Sequence, residues 1–117
     1  LQCEFFALEG LSQLLQTVER IQNRFNSSLS ILGIALTMFD RRNRLTDQVS
    51  DDVRDCLGGL VFETVIPRNV RLSEAPSHGL PIHAYAPESR GAAAYRAFAD
   101  EFRSRAVGRV DSTVLVA

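Results

Sequence analysis

Over residues 7–25 the apolar side chains Leu8, Leu11, Leu15, Val18, Ile21 and Phe25 recur at a spacing of three to four, which puts them on one stripe of an amphipathic helix. Asn26, Ser27 and Ser28 interrupt that pattern. Residues 29–39 (LSILGIALTMF) then form an almost unbroken apolar run, which predicts a strand covered on both faces, as in a parallel sheet. Residues 40–44 predict a polar loop, after which Asn43 or Thr46 is placed to cap a second helix that turns Val49, Val53 and Leu57 inward and stops at Gly58-Gly59. Residues 60–66 (LVFETVI), β-branched and aromatic and closed by Pro67, predict a second strand. Residues 68–87 contain Pro76, Gly79, Pro81 and Pro87, too many breakers for a regular element, and predict a long loop of the kind that carries function. Ser89 caps a last helix reaching about Arg105, with Tyr95, Phe98, Ala99 and Phe102 as its stripe.

The order helix, strand, helix, strand, helix is that of an α/β domain with right-handed crossovers and a parallel sheet flanked by helices. Two internal strands are too few to cover each other's pairing edges, so further strands are expected from an upstream segment or from a second copy of the chain. Residues 1–107 read as the domain, and residues 108–117 as a loose tail or short extension.

Composition narrows the chemistry. With 117 residues, 45% hydrophobic and 23% charged, the chain has the size of one small soluble domain with one core. A net charge of −1 gives no bulk attraction to nucleic acid or to an anionic membrane, so any polyanion site is local. All 13 basic side chains are Arg, so these residues hold no lysine of the kind a phosphate-binding loop uses. Cys3 and Cys56 form no metal-ligand pattern and read as small apolar residues kept reduced. Neither a bilayer-spanning run nor a secretory leader is visible, and the expectation is a cytoplasmic protein. Because Leu1 falls inside what reads as an ordered segment, the chain is expected to be a piece of something longer.

In open α/β sheets ligands bind beyond the carboxyl ends of the strands, and here both following segments are basic: residues 40–44 (DRRNR) and 67–71 (PRNVR). If the strands are parallel, these clusters share one rim, where guanidinium groups can fork onto phosphates. The competing reading pairs the same arginines with Asp47, Asp51, Asp52 and Asp55 as a solvated surface, and spacing alone favours it slightly. Glu74, Ser77 and His78 make a poor hydrolase constellation, since no GxSxG elbow is present. His78 and Gly79 are read as shaping a turn, and His83 as an ordinary loop residue.

Residues 2–11 (QCEFFALEGL) and 66–79 (IPRNVRLSEAPSHG), with the Ser89-Arg90-Gly91-Ala92 lead into the last helix, resemble the downstream part of ParA/Soj-type chromosome or plasmid partitioning ATPases. The resemblance covers roughly residues 1–105. It implies a carboxyl-terminal half of a P-loop NTPase-like domain whose amino-terminal strands, lysine loop and Walker B strand are not in these residues. It further implies a complete protein that uses ATP and Mg2+, binds DNA without sequence preference as an ATP-dependent dimer, associates with the nucleoid, and is stimulated by a ParB-type partner. By the same resemblance Arg42 and Arg71 are DNA-contacting residues, with Arg41 added on charge, and Pro67, Arg68 and Asn69 form the adenine-side loop, with Thr37, Met38 and Asp40 as weaker companions. A catalytically inactive dimerisation or interaction module is the alternative. A membrane-associated MinD-like branch ranks last, because residues 108–117 have one Arg and no helical stripe.

Overall fold

The computed structural model describes residues 1–107 and 114–116. Helix α1 spans Ala7–Arg24 and is followed by β1, Ser30–Phe39, whose central residues are buried on both faces as a continuous apolar run requires. Helix α2, Arg44–Leu57, starts at Asn43, whose side chain accepts from the Leu45 N–H. It ends at Gly58, where the φ of 42° would strain any residue with a Cβ. One 3-10 turn leads into β2, Val61–Pro67. Helix α5, Arg90–Ala106, starts at Ser89, whose Oγ accepts from Ala92 N.

Strands β1 and β2 pair in parallel with Ile34 opposite Val61, Leu36 opposite Val65 and Phe39 opposite Pro67. A third strand, β3 at Val114–Val116, pairs in parallel along the beginning of β1, giving the order β2-β1-β3. Part of the expected tail is therefore strand, while residues 108–113 and 117 lie outside the described residues. Near the other end of β1, Gln2 bridges Thr37 in parallel.

Helices α1 and α2 cover one face of the sheet around Ala7, Leu11, Ile34, Leu36, Val49, Val53 and Val61. Helix α5 covers the other through Phe98 and Phe102, which pack against the ring of Phe62. The strand alternation explains the split, since Val61 and Phe62 point to opposite faces. Gly33 permits this packing: a Cβ there would lie 2.8 Å from Phe62 Cζ and 3.0 Å from an Arg105 guanidinium nitrogen.

Several expectations need correction. The breaker-rich stretch 68–87 is not irregular: it holds α3, Val70–Glu74, a 3-10 turn at Ala75–His78, and α4, Ile82–Tyr85. Its breakers stand at the ends of these short pieces, with Asn69 capping α3, Gly79 at φ 64° closing the 3-10 turn and Pro81 preceding α4. Phe25 and Leu8 are exposed, because α1 ends at Arg24 and its buried stripe is Ala7, Leu11 and Val18. On α5, Tyr95 and Ala99 are exposed, and the fully buried positions are Gly91 and Ala92 in its first turn. Cys3 is buried, but Cys56 is exposed and lines a groove between α1 and α2.

Strand β2 is the outer strand of the sheet, and side chains occupy its backbone. Glu101 accepts from the N–H groups of Glu63 and Thr64, both at 2.8 Å. Arg105 donates to the carbonyls of Leu60 and Val61, and Arg54 to that of Phe62. Burial pushes the Glu101 carboxyl up, but the Thr64 and Glu63 N–H groups and Arg105 outweigh it and hold it below its ordinary value.

Gly33→Ala is expected to destabilise the fold by about 1–3 kcal/mol, the range for overpacking a filled core, since the Phe62 ring has no room to withdraw; urea unfolding measures it. Glu101, depressed in the folded state, stabilises above its unfolded pKa of about 4.3 and loses that contribution as pH falls through the lower folded value. Melting temperatures across the acid range should therefore show Glu101→Gln below wild type near neutrality, with the two curves converging at low pH.

Candidate nucleic-acid interface

Since β1 and β2 run the same way, the segments that follow them leave at one end of the sheet. The Arg68 N–H donates to the Phe39 carbonyl at 2.9 Å and ties the two exits together. Each exit then uses the same local device. Asp40 Oδ1 accepts from the Arg42 N–H at 3.0 Å, and Asn69 Oδ1 accepts from the Arg71 N–H at 3.2 Å. Short polar side chains that bond a backbone N–H two residues on fix a turn without needing secondary structure, so both arginines sit on defined backbone.

The structure groups the predicted residues in two adjoining cavities. One, of about 570 Å³, is lined by Phe39, Asp40, Arg41, Arg42, Pro67 and Arg68 together with Val65, Ala93, Ala94 and Arg90 of α5. The other, of about 610 Å³, includes Asn69, Arg71, Tyr85, Ser89 and again Arg90. Met38 lies apart from both, at the end of β1 with a left-handed φ of 54°. Asn69 spends its side-chain oxygen on capping α3.

Charge pairing at this rim is local. Arg42 meets Asp40 at 3.7 Å while its side chain is 95% exposed, and Arg71 meets Glu74 at 3.1 Å with its side chain 59% exposed. The only other ion pair among the described residues is Arg105–Glu101, so Asp47, Asp51, Asp52 and Asp55 of α2 do not neutralise these arginines. Exposed pairs of this kind are worth about 0–1 kcal/mol and leave the guanidinium groups able to exchange partners.

Arg71 belongs to a small network. Tyr85 donates its hydroxyl to Glu74 Oε2 at 2.7 Å, and His78 stacks on the Tyr85 ring at 4.7 Å. The hydrogen bond from Tyr85, and then Arg71, hold the Glu74 carboxyl below its ordinary value. In return Glu74 raises the Tyr85 phenol and the Arg71 guanidinium. His78 and Gly79 do shape a turn, while His83 is an exposed residue of α4.

Arg90 is the residue that reading the sequence missed. Its signal was its place directly after the Ser89 cap, which fixes the first turn of α5 at the end of the sheet where the strands exit.

Comparison with known proteins bears on what such a rim serves. Residues 5–82 match the model of the CobQ/CobB/MinD/ParA nucleotide binding domain. The chain belongs to that family. Among curated relatives, it is 54% identical over 105 residues to the chromosome partitioning protein ParA of Caulobacter vibrioides, covering 90% of this chain and 39% of that protein. It is 54% identical over 105 residues to the chromosome-partitioning ATPase Soj of Treponema pallidum, covering 90% of this chain and 42% of the relative. To the sporulation initiation inhibitor protein Soj of Bacillus subtilis it is 56% identical over 100 residues, covering 86% of this chain and 40% of that one. The chain thus spans about two fifths of the length of these relatives. This ParA-family segment is α/β, with a parallel sheet flanked by helices. Among its described residues no helix is long and apolar enough to cross a membrane, and no side-chain group is arranged to hold a metal ion.

Glu74→Gln should lower the Tyr85 phenol toward its ordinary pKa of about 10, because the carboxylate that stabilises its protonated form is gone. Tyrosinate absorbance followed against pH, in a Tyr95→Phe background, reads the shift; an unmoved titration would mean that the Tyr85–Glu74 contact does not form in solution.

Proposed function

We propose that this chain is the DNA-facing portion of a partitioning ATPase, holding the backbone of double-stranded DNA by arginine contacts without reading its sequence. The observation that carries the reading is the pairing of Phe39 with Pro67, which brings Arg41 and Arg42 from one strand exit and Arg71 from the other to the same end of the sheet. The names of the ParA and Soj relatives supply the process.

In this reading Arg42 and Arg71 contact phosphates, and Arg41 adds charge beside them. Pro67 and Arg68, which line the same cavity as Arg41 and Arg42, form the adenine-side wall of the nucleotide pocket in the complete protein. Asn69 serves that wall indirectly, by fixing the turn, and Met38 is the weakest member because it lines neither cavity. ATP with Mg2+ belongs to the complete protein. These 117 residues contain no lysine, and the chain by itself is assigned no ATP turnover. ATP-dependent dimerisation, association with the nucleoid in the cytoplasm and stimulation by a ParB-type partner complete the proposal, and no membrane is involved.

Phosphate contacts release condensed counterions, so affinity should fall steeply with salt and depend little on sequence. With the complete ATP-bound protein at low ionic strength, anisotropy on two unrelated duplexes of equal length should give equal affinities. Arg42→Ala and Arg71→Ala should each weaken both duplexes alike and reduce the slope of log affinity against log salt by about one. Loss on one duplex alone, or unchanged binding in both variants, overturns the reading. ATP hydrolysis by the chain alone would overturn the assignment of the nucleotide site to the longer protein.

A further inference from the structure

Arg90 lines both cavities at the carboxyl end of the sheet, the one with Arg41, Arg42 and Arg68 and the one with Arg71. Its side chain is exposed. Among the described residues it takes no part in an ion pair, although Asp40 lines the first cavity and Glu88 the second. Two other arginines of the last helix are committed elsewhere: Arg96 donates to the Pro87 carbonyl, and Arg105 to the Leu60 and Val61 carbonyls.

The position of Arg90 is fixed from three sides. Ser89 Oγ donates to the Ala86 carbonyl at 2.7 Å and accepts from Ala92 N at 3.1 Å, which sets the entry of α5. Arg96 closes over the turn through Pro87. Gly91 lets this first turn press against Leu72 of α3, since a Cβ there would stand 2.5 Å from Leu72 Cγ. Leu72 directly follows Arg71, so the contact locks the helix that carries Arg71 to the helix that begins with Arg90. An unpaired guanidinium on a rigid support, between two groups of the same charge, costs repulsion in the free protein that a bound polyanion removes.

We propose that Arg90 is a further phosphate contact, which joins the Arg41–Arg42 group to Arg71 in one continuous track for a DNA backbone. The inference rests on the function proposed above. It adds a specific claim: the track is a single surface with Arg90 at its middle, not two separate basic patches. Arg90 belongs to the binding surface because it would touch the phosphodiester itself, and its guanidinium can fork onto two oxygens of one phosphate.

The test uses the complete ATP-bound protein and the same duplexes, with Arg24→Ala as a control that removes one positive charge from the end of α1, at the opposite end of the strands. Arg90→Ala and Arg90→Gln should each lower affinity by about five- to tenfold on both duplexes at low salt and reduce the salt slope by about one, whereas Arg24→Ala should leave the slope unchanged. Arg90→Lys should restore the slope, because the charge returns. Circular dichroism of Arg90→Gln checks that the helices persist, so that weaker binding is not unfolding. If Arg42→Ala and Arg71→Ala weaken binding while both Arg90 variants behave like Arg24→Ala, the track is overturned and the function stands. If none of the rim variants differs from Arg24→Ala, the function itself is overturned.

Discussion

The parallel pairing of β1 and β2 is the constraint on which the rest of the molecule depends. Parallel strands need a covered crossover, and α2 supplies it; the sheet must then be dry on both sides, and α1 with α2 and α5 provide the two layers. One consequence is packing: Phe62 can only be a core residue for α5 because Gly33 next to it lacks a side chain. The other is directional. Strands that run the same way release their loops at the same end, so two arginine-bearing turns that are far apart in sequence become neighbours without any direct bond between their side chains.

Charge at that end is organised over short distances. The chain as a whole is nearly neutral, and α2 carries four aspartates directly after the first basic loop. Yet Arg42 and Arg71 take their carboxylate partners from within their own turns, Asp40 two residues away and Glu74 three residues away. A local partner orders the side chain while leaving most of its surface in water. Binding a polyanion there exchanges one weak, solvent-screened pair for another, instead of stripping a buried charge of its partner.

What was legible in the sequence was whatever depends on near neighbours along the chain. The helix read over 7–25, the buried strand read over 29–39, and the caps at Asn43 (with Thr46 as its alternative), Gly58 and Ser89 follow from local period and local hydrogen bonding, and the structure has them, helix and strand each one residue shorter. Residues 68–87 read as a loop by their number of breakers, yet Asn69, Gly79 and Pro81 stand where short helices begin or end and interrupt none of them. The exposure of Tyr95 and Cys56 was not legible, since each depends on which way a finished helix is rotated against the sheet, and that of Phe25 follows from α1 ending one residue short of it. The rim as a group of arginines was read from strand polarity, but the two-cavity arrangement was not. It arises where the first turn of α5 meets Leu72, a contact between residues whose closeness no periodicity announces.

Strand β2 closes one border of the sheet, and main-chain groups of its first half, with the Leu60 carbonyl just before it, are engaged by Arg54, Glu101 and Arg105. A foreign peptide seeking to extend the ribbon along that half would have to displace these charged side chains. Over that half the flank is thereby guarded against runaway strand stacking of the kind that seeds aggregates.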